Sequence, residues 1–136
     1  MKLCVKEAYL TMVWFIDSFY CESKDNDLGA LLGDLSPSTF LDCISADPAA
    51  WDIWNKIISK FDLKDREYKY VKEDELLKII ELFLNDFAGN CFELGIIYEN
   101  LGLLSNNNFD SELLERWNKA IKKGKEKHSE HFYGLK

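Results

Sequence analysis

The stretch that decides the fold is Val5-Lys6-Glu7-Ala8-Tyr9-Leu10-Thr11-Met12-Val13-Trp14-Phe15-Ile16-Asp17-Ser18-Phe19-Tyr20-Cys21. Leu10, Val13, Trp14, Ile16 and Tyr20 recur at helical spacing, and Phe15 and Phe19 widen the apolar stripe. The spacing predicts a helix from about Lys6 to Cys21. Parts of this stretch return later in the chain at an offset of 66. Val5-Lys6-Glu7 reappears as Val71-Lys72-Glu73, and Leu10 as Leu76. Val13, Trp14 and Ile16 align with Ile79, Ile80 and Leu82. Leu28-Gly29 returns as Leu94-Gly95, and Leu35 as Leu101. After a three-residue deletion Trp54-Asn55-Lys56 returns as Trp117-Asn118-Lys119, with Ile58 matching Ile121.

These anchors, kept in order, read as an internal repeat covering 5–61 and 71–124, followed by a polar tail over 125–136. A period near 65 is too long for the common solenoid repeats, and two copies are fewer than such arrays need. Each copy reads as three helices. In the first, Asp27 to Leu35 follows the aromatic helix and stops at Ser36-Pro37. Asp47-Pro48 then opens a third helix, since Asp caps free N–H groups and Pro suits the first helical position. Its apolar face is Trp51, Trp54, Ile57, Ile58 and Phe61. In the second copy Lys72 to Phe87 carries Leu76, Ile79, Ile80, Phe83 and Leu84. Asn90 is expected to cap a short helix that stops at Gly102, and Asp110 to cap the last one, with fraying from Gly124 onward. Each half is shorter than about 70 residues, too small for a stable core alone. The expectation is all-α: about six helices, arranged as two fused, similar three-helix halves in one compact domain over 1–136.

Composition agrees with that reading. The 136 residues are 47% hydrophobic and 30% charged, which is globular, and with only 2 Pro and 7 Gly helices are favoured over a many-turned β-sandwich. No apolar run approaches the roughly 18 residues of a membrane span. The short apolar run from Leu10 to Ile16 is followed by Asp17 and lacks a cleavage site, so the expected location is the cytoplasm. The cysteines, Cys4, Cys21, Cys43 and Cys91, form no CxxC pair and are expected to be buried free thiols.

Charge is unevenly spread. From Phe15 to Asn55 one lysine stands against eight acids, a net of −7, and from Val71 to Glu115 the net is −8. The residues from Arg116 onward carry +5, and the whole chain −7. This balance argues against nucleic acid or an anionic membrane as a direct partner, and allows a basic protein. A solvated acidic surface with a basic last helix complementing its own dipole accounts for much of the pattern. Less easily explained is the crowding of Asp25, Asp27 and Asp34 around one short helix, with Asp47 and Asp52 at the start of the next.

Catalysis has little to build on. The pairs Asp25 with Asp27 and Asp34 with Asp52 have no histidine, serine motif or phosphate loop beside them. His128 and His131, spaced i, i+3, lack a third ligand and sit in the polar tail. No enzyme, metal or cofactor is expected. Trp51, beside the acids, suits an interfacial anchor. Trp54, with its counterpart Trp117, suits packing.

An aromatic amphipathic helix, then Asp25-Asn26-Asp27-Leu28-Gly29-Ala30-Leu31-Leu32-Gly33-Asp34-Leu35, then Ala46-Asp47-Pro48-Ala49-Ala50-Trp51-Asp52-Ile53-Trp54 resembles bacterial immunity proteins of the contact-dependent growth inhibition type. The resemblance rests on the first half of the chain. It implies a cytoplasmic toxin inhibitor that neutralises the C-terminal domain of one cognate toxin. Many such toxins are nucleases with basic clefts. On this reading Asp25, Asp27, Asp34, Asp47, Trp51 and Asp52 form the toxin-binding interface. The alternatives are a helical protein-interaction adaptor unrelated to toxins, and a small hydrolase using an acidic pair with a metal.

Overall fold

The computed structural model describes residues 3–36, 47–61 and 70–126. Within them lie six helices: α1 (Val5–Ser23), α2 (Asn26–Leu35), α3 (Pro48–Ile58, continued by one 3₁₀ turn at Ser59–Phe61), α4 (Glu73–Phe87), α5 (Gly95–Ser105) and α6 (Ser111–Glu126). The only β-type pairing among the described residues is a single antiparallel bridge between Leu3 and Val71. The protein is all-α.

The central element is α1. Every residue from Ala8 to Asp17 is buried, so this helix is covered on all sides rather than along one stripe. Its most extensive partner is α6, with α2 and α3 also against it; α3 packs on α4, and α4 on α5. The first helix of the first sequence half therefore packs chiefly on the last helix of the second. Sequence periodicity shows an apolar stripe but not the number of neighbours that will cover a helix.

Aromatic rings fill the two sides of α1. Tyr9 meets Trp51 and Trp54 edge to face, with ring centroids 5.4 Å apart in each pair, and Phe83 lies 6.4 Å away. Phe15 meets Trp117 edge to face at 5.2 Å. Trp54 and Trp117 are thus buried against α1 in separate clusters, each beside an aromatic residue of that helix. Edge-to-face pairs of this kind add roughly 0.5–1.5 kcal/mol each beyond area burial.

Helix ends are closed by the residues nearest them. Glu7 reaches back to accept from the Cys4 N–H at 2.9 Å, and Glu75 does the same for the Lys72 N–H at 3.2 Å. Asp25 caps α2 by accepting from the N–H groups of Asp27 and Leu28, and Asp47 caps α3 by accepting from Ala49. Asp110 accepts from the Leu113 N–H at 2.8 Å to open α6. The two Val-Lys-Glu triplets do not take the same place: Val5 is the first residue of α1, whereas Val71 lies in the bridge and Lys72 immediately precedes α4.

Three local expectations are corrected. Asn90 does not cap α5. The chain turns after α4 through Gly89, whose φ of +52° is natural to glycine, and Leu94 precedes the helix. Gly102 lies inside α5, which ends instead where Asn107 adopts a left-handed φ of 56°. Gly124 does not begin a frayed tail; it is buried in α6 against α1, and the helix continues to Glu126. The tail beyond Glu126, with His128 and His131, lies outside the described residues, as does Cys43.

Candidate functional site

The six expected interface residues separate along α2. This helix of ten residues buries Leu28, Leu31, Leu32 and Leu35 and turns Ala30 and Gly33 to solvent. It spans roughly 15 Å at 1.5 Å per residue. Its N-terminal end holds Asp25 and Asp27. The Asp25 carboxylate closes the helix end. Asp27 accepts from the backbone N–H of Glu93 at 2.8 Å, which ties the start of α2 to the segment before α5. Glu93 in turn accepts from the Gly95 N–H at 2.9 Å. Three acids therefore meet here, one of them from the second half. Sequence reasoning missed Glu93, although the 66-residue offset of the repeat maps Asp27 directly onto it.

The other end of α2 holds a second group. The Asp47 N–H donates to the Asp34 carbonyl at 3.0 Å, which fastens the start of α3 to the last turn of α2. The Tyr9 hydroxyl donates to the Leu35 carbonyl and holds the same end from beneath. Asp34 is half-buried. Partial burial raises its carboxyl above the ordinary range, and the nearby Asp47 charge raises it further. No lysine or arginine among the described residues forms an ion pair with Asp34 or Asp52. Trp51, one turn beyond Asp47, is half-buried with its ring on Tyr9, and Asp52 is exposed. Asp34, Asp47 and Trp51 thus share the α2–α3 junction, with Asp52 on the outer part of α3.

The basic end is partly tied into the fold. Arg116 donates to the Ser18 carbonyl at 2.9 Å and to Glu22 at 2.7 Å, with its guanidinium 4.3 Å from the centre of the Phe19 ring. Lys119 pairs with Glu115, and Lys123 lies over the Trp14 ring.

A second feature lies away from α2. The N-terminus of α4, the C-terminal end of α5 and the first turns of α6 enclose a cleft of about 540 Å³. Leu77, Leu104 and Trp117, all buried, form its floor, and Phe109 and Leu114 flank it. Glu73 and Asp74 stand exposed at its mouth. The Trp117 indole donates to Glu73 at 2.8 Å and links α6 to α4 across the cleft.

Three of the four cysteines are free thiols, as expected, but they are not buried. Cys21 and Cys91 are exposed and Cys4 is half-buried; all three are free. Cys21 follows the buried part of α1, where the helix emerges into solvent. Residual burial and the adjacent Asp17 carboxylate, 3.6 Å from the sulfur, push its thiol up. Among the described residues no three His, Cys, Asp or Glu side chains are grouped so as to hold a metal ion. No described helix is long and apolar enough to cross a membrane. No family model, curated protein or solved structure matches the chain.

Proposed function

We propose that this chain is an immunity protein that binds and neutralises the C-terminal domain of a cognate bacterial toxin, a basic nuclease domain, through the acidic surface around α2 and α3. The protein is the inhibitor and not the enzyme, and it works in the cytoplasm without metal or cofactor. The observation that carries this reading is the α2–α3 junction. There the fold keeps Asp34 beside Asp47 although their mutual repulsion and the partial burial of Asp34 both disfavour its charge. A Lys or Arg from a partner would reverse that balance through a charge-assisted hydrogen bond. Trp51 lies beside these carboxylates and supplies apolar surface already fixed on Tyr9. Distributed acids of this kind chiefly raise the association rate and select the partner.

The test replaces Asp25, Asp27, Asp34, Asp47 and Asp52 together by Asn. Asn still caps a helix and still accepts hydrogen bonds, so charge is removed with little change of architecture. The tagged chain is co-expressed with the product of the adjacent gene. The expected result is a complex that dissociates in high salt, protects the cell from that product, and is lost in the Asn variant. A complex and protection that survive all five changes would refute the acidic-surface reading. An adaptor unrelated to toxins would form a complex with a product that harms no cell.

A further inference from the structure

We infer that the cleft between α4, α5 and α6 is a second docking point, taking one arginine side chain from a basic protein partner. It lies in the second half of the chain, away from the aspartates of α2 and α3. The cleft has two kinds of lining, arranged in depth. Leu77, Leu104 and Trp117 give an apolar floor, while Glu73 and Asp74 place two exposed carboxylates at the entrance. Among the described residues no lysine or arginine lines it. Its volume of about 540 Å³ lies within the range of sites for small ligands, roughly 300–1,000 Å³.

An arginine side chain laid along the cleft answers both kinds of lining. Its methylene stem covers apolar surface, and its head turns outward to bring positive charge to the carboxylates at the mouth. The planar guanidinium offers several N–H donors to neighbouring carboxylates and stacks on an aromatic face such as that of Phe109. Glu73 is pre-oriented, because the Trp117 indole holds one of its oxygens at 2.8 Å; a guanidinium would take the other. A neutral apolar side chain would bury itself beneath two carboxylates without satisfying either, and an anion would be repelled. The inference rests on the proposed basic partner only for the source of the arginine; the chemistry of the cleft is tested without it.

The probe is the peptide acetyl-Leu-Arg-Leu-amide, compared with the same peptide carrying citrulline, which keeps the shape and loses the charge. Binding is followed by NMR, using the Trp117 indole N–H and the methyl groups of Leu77 and Leu104. The arginine peptide is expected to shift these signals, and the citrulline peptide is not. Asp74→Asn leaves the Glu73–Trp117 bond intact, and Glu73→Gln keeps an acceptor for the indole. The double variant is expected to bind the peptide about tenfold more weakly, the scale of one lost charge-assisted contact. The Asn variant of the five aspartates is expected to bind it as the parent does. Equal shifts with citrulline, unchanged affinity in the double variant, or shifts confined to α2 and α3 would each overturn the cleft assignment. The last of these would leave the proposed function standing, whereas a parent chain that binds the arginine peptide in the cleft yet forms no complex with the toxin would remove that function alone.

Discussion

Replacing Gly124 by Ala tests the contact that organises the bundle. A Cβ built at this position lies 2.9 Å from the Glu7 carbonyl oxygen and 2.9 Å from the Thr11 nitrogen, and is closer still to the Thr11 hydroxyl. Ordinary carbon contacts lie near 3.5–4.0 Å. Two of the three obstructing atoms are backbone atoms of α1, which is enclosed from Ala8 to Asp17 and has nowhere to retreat. The remaining response is for α6 to lift off. Overpacking of this kind costs about 1–3 kcal/mol. Displacing the Thr11 hydroxyl from the Glu7 carbonyl, which it reaches at 2.8 Å, adds about 1 kcal/mol. Against this, Ala in place of a helical Gly returns about 1 kcal/mol. The net expectation is a loss of about 1–3 kcal/mol. Gly33→Ala is the control, because Gly33 is helical and exposed, and a Cβ added there meets no atom within 4 Å. There only the propensity gain of about 1 kcal/mol remains. Guanidinium unfolding followed by far-UV circular dichroism measures both. If Gly124→Ala is as stable as the parent while Gly33→Ala gains, α6 does not approach α1 this closely.

Arg116→Ala removes the bonds to Ser18 and Glu22 and the stacking on Phe19, and is expected to destabilise by about 1–2 kcal/mol in the same unfolding assay. Asp34→Asn is expected to stabilise the free protein at neutral pH. The folded carboxyl titrates above its unfolded value, so the parent loses stability as pH rises through that window, and the advantage of Asn vanishes once both states are protonated. Unfolding curves across the acid range check the sign. Cys21 and Cys91 are expected to react with a thiol reagent in the native protein faster than half-buried Cys4, with the Cys21 rate rising only at pH above the usual thiol range. Peptide mapping of the labelled protein reads this out.

Helix existence was legible where local rules decide it. Asp47-Pro48 and Asp110 mark helix starts through capping chemistry that needs no distant partner, and both hold in the structure. The spacing of Leu76, Ile79, Ile80, Phe83 and Leu84 placed α4 to within a residue at its start. Less legible were places where glycine serves different ends. Gly102 resembles a stop but sits in an open stretch of helix, Gly89 makes the turn, and Gly124 is a packing residue whose role emerges only when α1 is placed beside it. The candidate site divides in the same way. The acids were visible as a run in the sequence, but their separation onto the two ends of α2 depends on the helix length, and Glu93 arrives through tertiary contact. The cleft had no local signature, because its lining comes from three helices and the loop between α5 and α6.

The acids also differ in what the fold itself requires of them. Asp25 and Asp47 close helix ends, and Asp27 fastens α2 to the segment before α5; each therefore has a structural reason to be present with no partner. Among the described residues the side chains of Asp34 and Asp52 make no such hydrogen bond or ion pair. Asp52 is exposed on the outer part of α3, and Asp34 is held where its charge is disfavoured. The discriminating substitutions are consequently Asp34→Asn and Asp52→Asn, singly and together. If these positions serve a partner, the pair leaves the free protein as stable as before or more so, yet weakens the complex and makes what remains of it less sensitive to added salt. Charge retained for stability would behave in the opposite way, since its removal would lower the unfolding free energy and leave association unchanged.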